Sequence, residues 1–139
     1  MILLDTNVIS ELMRPRPDTA ALAWMDRQAC LDIYTTSITK AEIFYGIAVL
    51  PEGRRKTSLD SDVQRMFAED FGGRVLPFDE DAAVHFAEIA AGRRRTGMSL
   101  DVPDMQIAAI ALATGAAVAT RNLGDFAGSG VAIINPWVA

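Results

Sequence analysis

Apolar positions along the chain fall into short runs, and the stretches between them carry helical spacing. Ile2-Leu3-Leu4 ends at Asp5-Thr6-Asn7, which are turn and cap residues. Ile33-Tyr34-Thr35-Thr36 is β-branched and aromatic. Val75-Leu76 precedes Pro77, Ala117-Val118-Ala119 follows Gly115, and Val131 to Ile134 stops at Asn135-Pro136. Four or five such runs alternating with helices predict βαβ units and a parallel sheet buried on both faces. The expected architecture is α/β, a three-layer α/β/α arrangement in a single domain over residues 1–139.

The helical stretches carry their own punctuation. One helix should begin near Val8 and another should span Ala20 to Arg27. Thr39-Lys40-Ala41-Glu42 has the form of a capping box, placing Glu42 in a first turn. A helix of roughly Gly53 to Phe71 follows. Asp79-Glu80-Asp81 puts acids in a first turn that leads to Arg93-Arg94-Arg95 and Gly97. Asp101-Val102-Pro103-Asp104 is a second box-like start, with Pro103 where its missing N–H costs little.

Ligands of an open parallel sheet bind beyond the carboxyl ends of its strands. Asp5 lies at such an end. Helices return antiparallel to the strands, so Glu42 and Asp104 at predicted helix starts come back to the same edge. Asp125 follows the strand that ends at Thr120. Four acids distant in sequence are therefore expected on one rim. Singly, each has a plainer role as a cap or a helix-dipole acid. However, Ile38, Glu42, Tyr45 and Val49 share one helical face, and Ile43, Phe44, Ile47 and Ala48 cover most of the remainder. That helix reads as buried nearly all round, as does the one running from Asp104 through Ile107 to Ala113. Carboxylates at the mouths of buried helices need a cation or a donor.

Composition narrows the chemistry. Half of the 139 residues are apolar and no apolar run approaches the ~20 needed to span a bilayer. Met1-Ile-Leu-Leu leads directly to Asp5, unlike a signal peptide. Cys30 is the single cysteine, which excludes an internal disulfide and suits a reducing cytoplasm. His85 is the single histidine and reads as structural, so carboxylates are left to carry the chemistry. Cys30 reads as packing, and Trp24 and Trp137 as core or interface residues. The net charge of −5 argues against a simple nucleic-acid binder, but two divalent ions, adding four positive charges, would bring it to −1. A hard cation such as Mg²⁺ relieves repulsion among carboxylates and activates water for in-line attack on a phosphate. Arg54-Arg55-Lys56, Arg93-Arg94-Arg95, Arg14, Arg16 and Arg121 are either a solvated face or guides for phosphates.

Asp5-Thr6-Asn7-Val8-Ile9-Ser10, Glu42, Pro103-Asp104-Met105-Gln106-Ile107-Ala108, Ala119-Thr120-Arg121-Asn122-Leu123-Gly124-Asp125-Phe126 and Asn135-Pro136-Trp137 together resemble the PIN domain. More narrowly they resemble the VapC-like toxins of bacterial toxin–antitoxin pairs, with features of the FitB-like branch. The resemblance spans the whole chain in order. It implies a five-stranded parallel sheet and an endoribonuclease dependent on Mg²⁺, with Mn²⁺ as the other candidate. It further implies a homodimer and a cognate antitoxin protein, through which alone the chain would meet DNA. Asp5, Glu42 and Asp104 match the family's core acids, with Asp5 and Asp104 as the expected metal ligands. Asp125 ranks ahead of Asn122 for the fourth position. Thr120 matches a hydroxyl position near the site, and Thr6 and Asn7 are expected to position Asp5.

Two other classes fit less well. A phosphoryl-transfer protein of receiver or haloacid-dehalogenase type also uses a strand-end Asp, but neither lysine, Lys40 or Lys56, follows a late strand. A non-catalytic protein-binding module would use the same acids only as helix caps.

Overall fold

The computed structural model describes residues 1–139. Strands β1 (Ile2–Leu4), β2 (Ile33–Thr36), β3 (Val75–Leu76), β4 (Ala117–Ala119) and β5 (Ile133–Ile134) form one sheet in the order β3-β2-β1-β4-β5. Every neighbouring pair is parallel, as the short apolar runs predicted. Ile2 pairs with Ile33 on one side and with Ala117 on the other. From β1 the chain builds outward through β2 and β3, then crosses back to add β4 and β5. The direction of winding thus reverses between β1 and β4, which opens a crevice at their carboxyl ends.

Seven helices cover the sheet: α1 (Thr6–Leu12), α2 (Thr19–Asp26), α3 (Ser37–Ala48), α4 (Arg54–Arg65), α5 (Glu80–Arg95), α6 (Val102–Thr114) and α7 (Leu123–Phe126). The last turn of the rod begun by α4 widens into a π-helical segment, Met66–Asp70. Alternation along each strand divides the core in two. Leu3 and Val118 point into a layer with Ile107, Ile110 and Phe126. Leu4 and Ala119 point the other way, toward Val8, Trp24, Ile43 and Phe67. No helix is long and apolar enough to cross a membrane.

Four local expectations change. Helix α1 begins at Thr6 rather than near Val8, because the Asp5 carboxylate accepts from the Thr6 N–H at 2.8 Å and caps it. Helix α3 begins at Ser37, capped by the Thr36 hydroxyl, which accepts from the Thr39 N–H at 3.1 Å. Thr39 and Glu42 therefore form no capping box, and Glu42 lies in the second turn. Nor is α3 buried all round: Ile43 and Ile47 pack inward, whereas Glu42 is exposed and Tyr45 and Val49 are 70% and 62% exposed. Helix α6 is buried from Met105 through Ala111, Gln106 apart, as its uniform apolarity required. Cys30 is exposed in a short 3₁₀ turn and is not a packing residue. Trp24 is buried in the core, and Trp137 packs against the same cluster.

Candidate active site at the strand switch point

Asp5 leaves the end of β1, and its N–H donates to the Ala119 carbonyl at the end of β4, so it sits over the crevice. Its carboxylate is 2% exposed. One oxygen caps α1. The other accepts from the Thr120 hydroxyl at 2.8 Å and from Asn7 Nδ2 at 3.2 Å. Asn7 in turn accepts the Arg121 N–H on Oδ1, and the Thr120 hydroxyl accepts the Asn122 N–H. The Asp-Thr-Asn turn after β1 and the Thr-Arg-Asn turn after β4 are thus tied together around one carboxylate. Charge-assisted bonds of this kind are stronger than neutral ones, which fixes Asp5 in one orientation.

Glu42 reaches the same rim from α3. The Thr6 hydroxyl donates to Glu42 Oε1 at 2.9 Å and stands 3.2 Å from the hydroxyl of the fully buried Thr39. Asp104 enters from the first turn of α6. Its own N–H is taken by Asp101, the N-cap, at 3.0 Å, and its carboxyl feels the charge of Asp125 from α7. Asn122 is exposed at the start of α7 and makes no side-chain cap. Glu42 is thus felt by Asp5, and Asp5 and Asp125 by Asp104, while Thr6, Asn7 and Thr120 bond to Asp5 or Glu42. Asp101 joins them as a fifth acid that had been read only as a cap.

The electrostatics are those of an uncompensated acid cluster. Burial raises the Asp5 carboxyl above its ordinary value, the Thr120 and Thr6 hydrogen bonds oppose the rise, and the charges of Glu42 and Asp101 add to it. Asp104 is pushed up to about 8, first by burial, then by the charges of Asp5 and Asp101 and by its contact with Asp125. The ion pairs of the chain are Arg14–Glu11, Lys56–Glu52 and Arg65–Asp62, and none involves these five acids. Their donors are all hard oxygens, the set that Mg²⁺ or Mn²⁺ takes. No three carboxylates close around a single point.

The basic clusters separate on inspection. Arg93 is 5% exposed and donates to the carbonyls of Ser99, at 2.8 Å, and Ala127, at 3.0 Å. It anchors the segments that carry Asp101 and Asp125 and is closed to solvent. Arg94 and Arg95 are exposed on α5. Arg14 and Arg55 line a groove of about 530 Å³ between α1, α3 and α4, with Thr6, Ser10 and Glu42 on its wall.

A sheet wound in this order, with acids gathered at its switch point, places the chain in a known class: residues 2–127 match the family model for the PIN domain, and the chain belongs to that family. Within it the chain is similar to the VapC ribonuclease Y4jK of Sinorhizobium fredii, 44% identical over 99% of this chain and 98% of that protein. It is similar also to the toxin FitB of Neisseria gonorrhoeae, 42% identical over 99% of both. The solved structure of FitAB bound to an IR36 DNA fragment superposes with a TM-score of 0.92 at 42% identity, covering 99% of this chain and 96% of that one.

Proposed function

We propose that this protein is the toxin of a toxin–antitoxin pair and an endoribonuclease that hydrolyses RNA phosphodiester bonds with the help of Mg²⁺ or Mn²⁺. The observation that carries this is the gathering of Asp5, Glu42, Asp104 and Asp125 at the switch point with no basic partner. Burying Asp5 and Asp104 beside further acids is costly for a cap or a docking surface, and a cation would relieve that cost. Full-length likeness to a VapC ribonuclease and to the FitB toxin supports the activity, and likeness to the FitAB–DNA complex supports an antitoxin partner that mediates DNA contact. We place the protein in a homodimer on the strength of its family resemblance.

Asp5 and Asp104 would hold the ion, Glu42 would bind it directly or through water, and Asp125 would hold a second ion if one binds. When bound, the ion supplies Lewis-acid polarisation of the phosphate and lowers the pKa of water at the site. Thr120 and Asn7 keep the Asp5 oxygen oriented, and Thr6 does the same for Glu42. Burial and the neighbouring acids favour the protonated form of Asp104, and a cation at the site would favour the carboxylate instead.

Asp5→Asn tests this cleanly, because Asn also caps helices well and keeps the α1 cap. The variant should fold and lose RNA cleavage, EDTA should abolish wild-type cleavage, and expression of the wild type alone should arrest growth. Cleavage by the variant equal to wild type, or activity that survives EDTA, would refute the reading.

A further inference from the structure

Arg121 adjoins the acid site yet pairs with none of its acids. Its backbone is fixed: Thr120 before it bonds Asp5, and its own N–H donates to Asn7. Its side chain is exposed, and its guanidinium centre lies 5.0 Å from the centre of the Trp137 ring. No carboxylate lies within ion-pair distance of it, although five acids share this rim. A guanidinium held over an indole by cation–π attraction, with no side-chain hydrogen bond of its own, keeps its N–H donors free for another partner. Those donors suit a tetrahedral anion, which they bond in bidentate fashion.

We infer that Arg121, seated on Trp137, is a phosphate clamp for the substrate strand, gripping a phosphate that adjoins the scissile one. Because its guanidinium lies over Trp137 and pairs with neither Asp5 nor Asp104, it contributes to holding the strand and not to the reacting phosphate. Trp137 acts as its platform. The residue pair joins the turn after β4 to the turn after β5, which makes this edge of the crevice the path of the RNA. An acidic partner protein is the other polyanion with the same charge, but a clamp bordering the catalytic acids is placed for the strand being cut.

The inference rests on the ribonuclease reading, and the experiment separates the two. A short fluorogenic RNA is cleaved by wild type, Arg121→Ala and Arg121→Lys across a KCl series in Mg²⁺, and Mg²⁺-induced thermal stabilisation is measured on each. Arg121→Ala should raise KM about tenfold, with the loss carried by KM and not kcat. The slope of log(kcat/KM) against log[salt] should become shallower by ~0.7, the value of one single-strand phosphate contact. Arg121→Lys should fall between the two, because an ammonium keeps the charge without the flat stack. Mg²⁺ should stabilise all three proteins equally. An unchanged KM and salt slope in Arg121→Ala, or a fall in kcat at constant KM, would overturn the clamp while leaving the nuclease reading intact. Absence of Mg²⁺-dependent cleavage by wild type would remove both.

Discussion

Replacing Asp104 by Asn separates what stabilises the site from what makes it work. Burial and the neighbouring acids push the Asp104 carboxyl up to about 8, whereas an Asp in the unfolded chain titrates near ~3.9. Between those values the native state holds a proton that the unfolded state has released. Stability must therefore fall as pH rises from about 4 to about 8. Each pH unit between the two values corresponds to ~1.4 kcal/mol, so the upper limit by pH 8 is several kcal/mol. Relaxation and water entry reduce such penalties, and about 1–2 kcal/mol is the share expected to survive. Asn has nearly the same shape and no charge at any pH. For 139 residues ~1 kcal/mol moves Tm by about 3 °C. In EDTA at pH 8 the variant should therefore melt about 3–6 °C above wild type. At pH 5 the two should coincide. Mg²⁺ should reverse the order, because an ion that binds only the native wild type raises its Tm alone. Thermal melts from pH 5 to pH 8, with EDTA or MgCl₂, read all of this directly. A variant no more stable than wild type at pH 8, or a gap equal at both pH values, would refute the reasoning.

Thr120→Val removes the donor to Asp5 and the acceptor of the Asn122 N–H. It should lower unfolding stability by about 1–3 kcal/mol in urea titration and weaken cleavage, since the valine cannot orient Asp5. Arg93→Met leaves the Ser99 and Ala127 carbonyls without their buried donor. It should cost roughly 2–4 kcal/mol and speed amide exchange over residues 122–127, whereas Arg94→Met on the exposed face should be close to neutral.

Much of the site was legible because strand ends and helix starts obey simple geometry. Asp5 follows three apolar residues and Asp104 follows a Pro in a helix start, so a parallel sheet brings both to one edge whatever the details. Glu42 came to the right edge for a wrong local reason. A box pattern beginning at Thr39 was visible, but the hydroxyl that caps α3 is that of Thr36, at the end of a buried strand. Sequence spacing does not reveal which of two nearby threonines the strand delivers to the cap. The burial of α3 was overestimated for a related reason. Periodicity counts apolar residues, yet which face packs depends on which neighbours arrive, and nothing covers Tyr45 or Val49.

The residues that escaped notice are those whose role is set by distant partners. Asp101 makes a complete local bond to the Asp104 N–H, so its sequence context looks fully explained by capping. Only the fold reveals that the same carboxylate faces Asp5 as well. Within Arg93-Arg94-Arg95 no local signal marks the first as different. It is selected because α5 turns it toward the Ala127 carbonyl, 34 residues away in the chain. A run of like charges therefore cannot be read as a single surface. The same reasoning bears on Arg121, which resembles any other exposed arginine until Trp137 from the turn after β5 is placed beneath it. Local sequence sets where acids and turns occur, while a cation's role depends on what the sheet order places beside it. For this fold the order β3-β2-β1-β4-β5 sets the β1 end that carries Asp5 beside the β4 end that leads to Arg121, and so decides which charges a bound strand of RNA would meet.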